Sequence, residues 1–460
     1  MKRAAALFLL LLATAGVAPN ASAQTEAPVS RPNILVIVTD DQRATRLGGF
    51  QPGTKRWLQD NGTTFTNAYA STPICCPSRA SIFSGRYAHN HRVLSNGDGE
   101  VLDHSTSMQA YLQEAGYRTG IVGKLLNGWP LRKDPPYWSS FSISRGGYRE
   151  SFWNINGTRK TINAYHTKFV GYRAADFIRH SEARDARPWM LYVATKAPHR
   201  SWEPARQYAD SPVNRWKGNP AVRERDLRDK PPWLRDGSCR LRCGRRIRAG
   251  QNRLLMSVDD LVLKMREKLK KYGERDTLVV YVSDNGYTWG EHGLEKKSQP
   301  YVQSVRVPLM IRWPGHTQGR TLDERFALNI DIAPTVLEAA DIAVGETPMD
   351  GRSLLVDSAR NRVHLEHWCN VRDSCDRWAS TRTHAYQYIE RYDKEGNVLF
   401  REYYNNVSDP WQLTNLLRDR DRTNNPDVAR LDAQLEPDRS CVGTRPRQRG
   451  NLPLPGVVCP

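Results

Sequence analysis

The chain has 460 residues and a formal net charge of +19, with 68 Lys and Arg against 49 Asp and Glu. That length is enough for one large domain with a sizeable core and a smaller one beside it. Such a charge surplus attracts polyanions, but no zinc-finger spacing, RNP-like aromatic motif or basic heptad accompanies it, which argues against a nucleic-acid-binding protein.

Residues 1–23 read as a signal peptide. Lys2 and Arg3 are its basic start, Ala4 to Ala18 its apolar stretch, and Ala21-Ser22-Ala23 a small-residue cleavage site. The apolar stretch is short for a membrane span, and nothing later is long enough to cross. A secreted or periplasmic protein without a transmembrane anchor is expected. Its partners would be sulfated or carboxylated glycans rather than nucleic acid, although a basic surface also serves plain solubility.

Asn33 to Val38 is a continuous apolar run ending in Thr39-Asp40-Asp41, which fits a strand buried on both faces of a sheet. Cys75 to Arg86 then packs two thiols, a proline, a hydroxyl and two guanidiniums into one segment. Pro77 suits the first turn of a helix. Cys75 would sit just before that helix, where free N–H groups favour negative charge, and Arg79 would point back over the same turn. Two ordinary buried cysteines are the plainer reading, but they leave Arg79 and Arg86 unexplained.

Thr119 to Val122 before Gly123-Lys124, Trp189 to Ala194, and Thr277 to Val282 before Ser283-Asp284-Asn285 repeat the apolar-strand pattern. Glu203 to Arg253 has little periodicity and reads as a long surface excursion. Leu254, Val258, Leu261, Met265 and Leu269 keep helical spacing, with Gly273 as the stop. Strands alternating with helices predict an α/β fold with helices on both faces of the sheet. After Asp350-Gly351-Arg352 the pattern changes. His364 to Glu366, Gln387 to Arg391 and Val398 to Tyr404 read as short strands, and Asn405 to Leu417 as a turn into a short helix. These predict a small C-terminal α+β subdomain.

Asp40-Asp41 and Asp284-Asn285 each end an apolar strand, where ligands of open α/β sheets collect. Four oxygen-bearing side chains with no His or Cys among them suit Ca²⁺ or Mg²⁺. Helix caps and turns are the competing use of such residues. Lys124, His199 and Lys297 could each be a surface cation. At the mouth of one sheet they would instead surround an anion. Cys239/Cys243, Cys369/Cys375 and Cys441/Cys459 are sequence-local pairs that read as disulfides in an exported chain, though other pairings are formally open. Zinc is the weaker alternative, because no His stands at ligand spacing.

Cys75-Cys76-Pro77-Ser78-Arg79, followed by Gly85-Arg86, resembles the signature of type I, formylglycine-dependent sulfatases. His89-Asn90-His91, Asn96 and Gly123-Lys124-x-Leu126-Asn127 most resemble the N-acetylglucosamine-6-sulfatases and the heparan 6-O-endosulfatases. The resemblance implies an alkaline-phosphatase-like sandwich with a large, mostly parallel central sheet, a catalytic domain over 30–355 and the subdomain over 356–460. It implies that a maturation enzyme oxidises Cys75 to formylglycine (3-oxoalanine). The metal shell would then comprise Asp40, Asp41, Asp284, Asn285 and the modified Cys75, with Ca²⁺ ahead of Mg²⁺. Arg79, Lys124, His199 and Lys297 would be catalytic, the last three also contacting the sulfate ester.

The implied mechanism uses a hydrated aldehyde. One hydroxyl attacks sulfur; the other collapses to the aldehyde and expels sulfate. Many arylsulfatases carry a His two residues after the lysine, where this chain has Leu126, so His89 or His91 is an alternative source of the base. Tyr301-Val302-Gln303-Ser304 lacks the acidic residue that often follows the tyrosine. Sulfated sugars of the N-acetylglucosamine-6-sulfate kind are the expected substrates. The rivals are a phosphodiester or phosphonate monoester hydrolase using the same site, and a non-catalytic polyanion-binding protein of this fold.

Overall fold

Every residue of Asn33–Thr39 (β1) is buried, and its side chains divide between two cores. Ile34, Val36 and Val38 join one apolar cluster, and Leu35 and Ile37 the other. This is the period of two that a strand imposes. The computed structural model describes residues 31–183, 187–357, 359–369, 375–444 and 457–460. The segment read as a leader, 1–23, lies outside the described residues.

The remaining strands of the large sheet are β2 (Thr63–Tyr69), β3 (Arg118–Gly123), β4 (Ser140–Gly146), β5 (Ser151–Ile155), β6 (Thr158–Ile162), β7 (Trp189–Ala194), β8 (Thr277–Ser283), β9 (Leu309–Arg312) and β10 (Thr321–Leu328). Their order is β10-β2-β9-β8-β1-β7-β3-β4-β5-β6. The block from β8 through β1, β7 and β3 to β4 is parallel throughout. β9 runs against β8 and β2. Helices Cys75–Ser84, Met108–Glu114 and Ile332–Ala339 contribute to the first cluster, and His166–Glu182 and Leu241–Tyr272 to the second. The expected α/β sandwich is what forms.

A second, antiparallel sheet follows: β11 (Val363–His367), β12 (Arg377–Arg382), β13 (Tyr386–Tyr392) and β14 (Val398–Asn405), in that order. Val363, Leu365, Trp378 and Ile389 pack in one cluster with Tyr69, Tyr301 and Leu328 of the large domain. Tyr388 and Tyr392 pack with Leu431 and Leu435 of the closing helix Val428–Asp438. Pro32–Pro460 thus folds as one unit.

Three elements differ from expectation. The periodic helix starts at Leu241, well before Leu254, and ends at Gly273 in the left-handed conformation. Its first turns carry an Arg-rich stretch and two glycines, which hide the spacing. No helix forms between Asn405 and Leu417, where Asn405 and Asp409 side chains accept backbone N–H bonds and hold turns. The helix comes later, capped by Asp427. β12 is not expected from the sequence, because Arg at both ends of a six-residue run does not read as a buried strand.

The cysteines pair as the sequence suggests, Cys239 with Cys243, Cys369 with Cys375 and Cys441 with Cys459. Cys369 is buried, but Cys375 is not: it is half-buried and lies in no strand or helix, two residues before β12. The bond between them joins the end of β11 to the start of β12, and residues 370–374 of that connection lie outside the described residues.

Candidate functional site

The parallel strands deliver their polar residues past their carboxyl ends. β8 leads into Asp284 and Asn285, β1 into Asp40 and Asp41, β7 into Lys196 and His199, and β3 into Lys124. The helix Cys75–Ser84 begins at Cys75 itself, with Ile74 before it in extended conformation. Its start is fixed from behind. The Cys76 N–H donates to Asn96 Oδ1 at 3.0 Å, and the Cys76 thiol meets the Asn127 carbonyl at 3.3 Å.

Cys75 is 1% exposed. Its Sγ lies 3.2 Å from Asp40 Oδ1 and 2.8 Å from Lys297 Nζ. Lys297 also pairs with Asp41. Arg79 donates from Nε to Asp284 at 2.8 Å and from Nη1 to the Lys124 carbonyl at 3.0 Å. The Lys124 ammonium pairs with Asp40. His199 Nε2 is 3.8 Å from Asp41 Oδ2, and Asn285 Nδ2 donates to Asp41 Oδ1 at 2.7 Å. All nine residues singled out from the sequence for metal and anion therefore meet in one place.

The six disulfide cysteines do not join them. Cys239, Cys243, Cys369, Cys375, Cys441 and Cys459 neither enter the cluster around Asp40 nor line the cavity beside it. Their sulfurs are spent on one another, so their role is to fix the backbone and not to bind.

Burial sets the electrostatics. Burial raises the Asp40 carboxyl, but Lys124, His199, Lys297 and Arg79 outweigh it and hold the group well below the carboxylate range. Asp284 is pushed up to about 6 by burial and by Asp40. Cys75 is pushed up to about 12 by burial and by Asp40, so the unmodified residue is a neutral thiol, not a thiolate.

Asp40, Asp41, Cys75 and Asp284 each bring a ligand atom within 4.8 Å of the others. Asp41 Oδ2 and Asn285 Oδ1 are buried acceptors with no hydrogen-bond partner in the structure. Buried acceptors of this kind are costly unless something satisfies them. The donor set is oxygen-rich and anionic, so the residues present fit a hard divalent cation.

His89 and His91, the alternative bases, do not touch Cys75. His89 binds Glu366 at 2.9 Å and the Cys441 carbonyl at 3.0 Å. His91 binds Ser81 Oγ at 3.0 Å and accepts from the Val93 N–H at 3.1 Å. Both are held by these partners, away from a hydrogen bond to Cys75. A cavity of about 230 Å³ opens beside Asp40, Lys124 and His199, and its lining includes Trp129, Arg145, His166 and Lys196, which the sequence reading passed over. Lys196 was findable from its place just after β7. Arg145 lies on a strand whose sequence carries little apolar periodicity.

Residues 32–342 match the sequence model of the sulfatase family, and 290–440 match that of the N-sulphoglucosamine sulphohydrolase C-terminal region. The chain is 35% identical to the extracellular sulfatase SULF-1 homolog of Drosophila melanogaster, over 74% of this chain and 32% of that protein. The related Caenorhabditis elegans protein is 33% identical and is covered over 50% of its length. The chain thus spans half or less of these two relatives. Human N-acetylglucosamine-6-sulfatase is 30% identical, over 92% of this chain and 87% of the human one. A protein solved with its substrate D-glucosamine-2-N,6-O-disulfate shares the fold at a TM-score of 0.71 and 23% identity, covering 88% of this chain and 96% of the other.

Proposed function

The chain belongs to the sulfatase family, and from that premise we propose that it hydrolyses sulfate monoesters of sulfated sugars through a formylglycine made from Cys75. The convergence of Cys75 with four oxygen ligands and four cationic side chains at the carboxyl end of the parallel strands carries this reading. Hydrated, the aldehyde at position 75 offers two hydroxyls on one carbon, one to attack sulfur and one to expel sulfate by restoring the carbonyl. Asp40, Asp41, Asp284, Asn285 and residue 75 would hold a divalent cation, Ca²⁺ ahead of Mg²⁺, which when bound neutralises sulfate oxygens and acidifies a neighbouring hydroxyl.

The protein's own groups supply the rest. Arg79 is locked by Asp284 and the Lys124 carbonyl, so its charge stays beside residue 75 without reorganising. Lys124 and Lys297 stand on either side and would take the non-bridging sulfate oxygens. His199 is the more exposed of the candidate donors and faces the cavity, which suits it to protonate the departing alcohol. Lys297 touches Cys75 and is placed to hold or move the proton at that residue. Residues 30–355 would form the catalytic part and 356–460 the subdomain that closes it.

The names of the curated relatives support a 6-O-sulfated glucosamine as substrate. Export is supported by the basic and apolar start of the chain, by the three disulfides and by the extracellular relatives. Among the described residues no helix is long and apolar enough to cross a membrane.

The test pairs chemistry with mass. Peptide mass spectrometry of the Cys75 segment should show the aldehyde, and the protein should release sulfate from N-acetylglucosamine-6-sulfate. Cys75→Ala and chelation should each abolish release, while Cys76→Ala should keep much of it. Full turnover by Cys75→Ala, or by thoroughly demetallated protein, would sink the reading.

A further inference from the structure

Three adjacent parallel strands each bring a cation to their carboxyl ends: Lys196 after β7, Lys124 after β3 and Arg145 in the last pleat of β4. In the β3–β4 register Gly123 lies opposite Ile143, so Arg145 lies beyond the last β3 pairing, on a stretch of β4 that pairs only with β5. The three side chains line one cavity. Their ion-pairing differs. Lys124 is neutralised by Asp40. Neither Lys196 nor Arg145 makes an ion pair with a carboxylate among the described residues.

Lys196 is partly buried, and its position is well defined. Its ammonium donates to the Gly146 carbonyl at 2.7 Å and lies 4.9 Å from the centre of the Tyr148 ring. The Tyr148 hydroxyl in turn donates to the carbonyls of Lys196 at 3.2 Å and His199 at 2.7 Å. One tyrosine therefore holds both the lysine and the histidine that faces the sulfate site. A lysine ammonium has three N–H groups, and only one is used. Arg145 is exposed and makes no side-chain hydrogen bond or ion pair among the described residues. A half-buried cation held on a carbonyl and a ring, with a second cation beside it and no carboxylate on either, is a poor arrangement for stability. It is a good one for receiving an anion.

We infer that the Lys196–Arg145 end of this cavity binds a second anionic group of the substrate, a sulfate or carboxylate set apart from the ester being cleaved. The proposal rests on the sulfatase reading for the first group and names the second. Strands in a sheet are about 4.8 Å apart. Lys124 and Arg145 therefore start from strands one spacing apart, and the Lys196 ammonium crosses to the Gly146 carbonyl next to Arg145. The second anion would sit on the β4 side of the cavity and the ester on the β3 side. The shared chemistry could come from an N-sulfate on the same sugar or from the uronate of a neighbouring one.

Binding is measured on Cys75→Ala protein loaded with Ca²⁺, so that hydrolysis does not interfere. The ligands are N-acetylglucosamine-6-sulfate, D-glucosamine-2-N,6-O-disulfate and a uronosyl N-acetylglucosamine-6-sulfate disaccharide, titrated by calorimetry. At least one doubly anionic ligand should bind about tenfold or more tighter than the singly sulfated sugar. In Lys196→Met with Arg145→Gln that ratio should fall to within about threefold. Which ligand shows the preference identifies the source of the second charge. A ratio near one in the parent protein, no binding of either doubly anionic ligand, or a preference that survives both substitutions would overturn the proposal. Failure of the sulfatase reading looks different: the disulfate binds with its preference intact, yet protein carrying the verified aldehyde releases no sulfate. The double variant should keep the parent's thermal midpoint within a few degrees, which separates lost recognition from lost fold.

Discussion

Three ring nitrogens converge on one oxygen of the Glu366 carboxylate, which is fully buried. His89 Nδ1 lies 2.9 Å and His364 Nε2 3.4 Å from Oε2, and the Trp368 indole also donates to it. The His89 N–H takes the other oxygen at 3.2 Å. Burial lowers the His89 pKa, but the Glu366 charge and hydrogen bond, with help from Asp350, overcome this and raise it from 6.5 to about 9. Glu366 is itself held well below the usual range, where burial is outweighed first by His89. The signs then follow. The histidine's share of stability is whole below pH 6.5 and is lost as pH rises toward 9. The glutamate's share is present above its ordinary value of 4.5 and is lost as pH falls. Counted once, from the histidine side, the pair contributes roughly 3 kcal/mol. Glu366→Gln should therefore lower the thermal midpoint most near pH 5 to 6.5, and the gap to the parent should narrow toward pH 9.5. A gap that stays constant across that range would show that the pair is not charged.

At the scale of elements, the strand ends were legible because β1, β7 and β8 are apolar on both faces and each stops at a polar cluster. The long helix was half legible. Ile247, Leu254, Val258 and Leu261 are buried at helical spacing, but Gly244 and Gly250 between arginines read as loop. The structure explains Gly244. A Cβ there would stand 1.8 Å from the Trp289 carbonyl oxygen, a backbone atom that cannot turn away. That contact seats the helix on the loop bearing Trp289, whose indole donates to Gln251, and Gln251 donates to the Asp41 carbonyl. Gly273 has a positive φ of 74° but nothing within 4 Å of an added Cβ. Gly273→Ala should cost about 1 kcal/mol for the left-handed backbone alone. Gly244→Ala should cost several times that and should lower turnover as well, through Gln251. Chemical denaturation of the two variants side by side checks the order; equal losses would contradict it. β12 was illegible for a different reason. Its terminal Arg382 is satisfied by Gln387 across the hairpin and by the Tyr69 hydroxyl, 313 residues away in the chain, which no local pattern reports.

At the scale of the whole molecule, the C-terminal residues are tied back onto the large domain. The Cys441–Cys459 bond spans 18 residues. The Pro460 carbonyl accepts from Arg360, whose guanidinium also clasps the buried Asp331. The Gly443 N–H donates to Asp350, and Asp350 caps the Tyr87 N–H just beyond the Cys75 helix. Residues 441–444 and 457–460 are therefore part of the scaffold behind the site. Replacing Cys441 and Cys459 with serine should cost about 2–4 kcal/mol, read as a lower unfolding midpoint with the unfolding still a single transition. A midpoint unchanged by the double substitution would mean that the tail adds nothing to the scaffold.

Cys75 lies almost wholly out of solvent, with Asp40 on one side and, 222 residues later in the chain, Lys297 on the other. No enzyme could reach its thiol in that setting. If the residue is oxidised as proposed, oxidation has a deadline. It must happen after the Cys75 segment has emerged and before the stretch that carries Lys297 has arrived and docked. The topology lengthens that interval, because β1 waits for β7 and β8 before the sheet can close, and pairings across such distances form slowly. Chronology, as much as geometry, would then decide what fraction of the molecules is active.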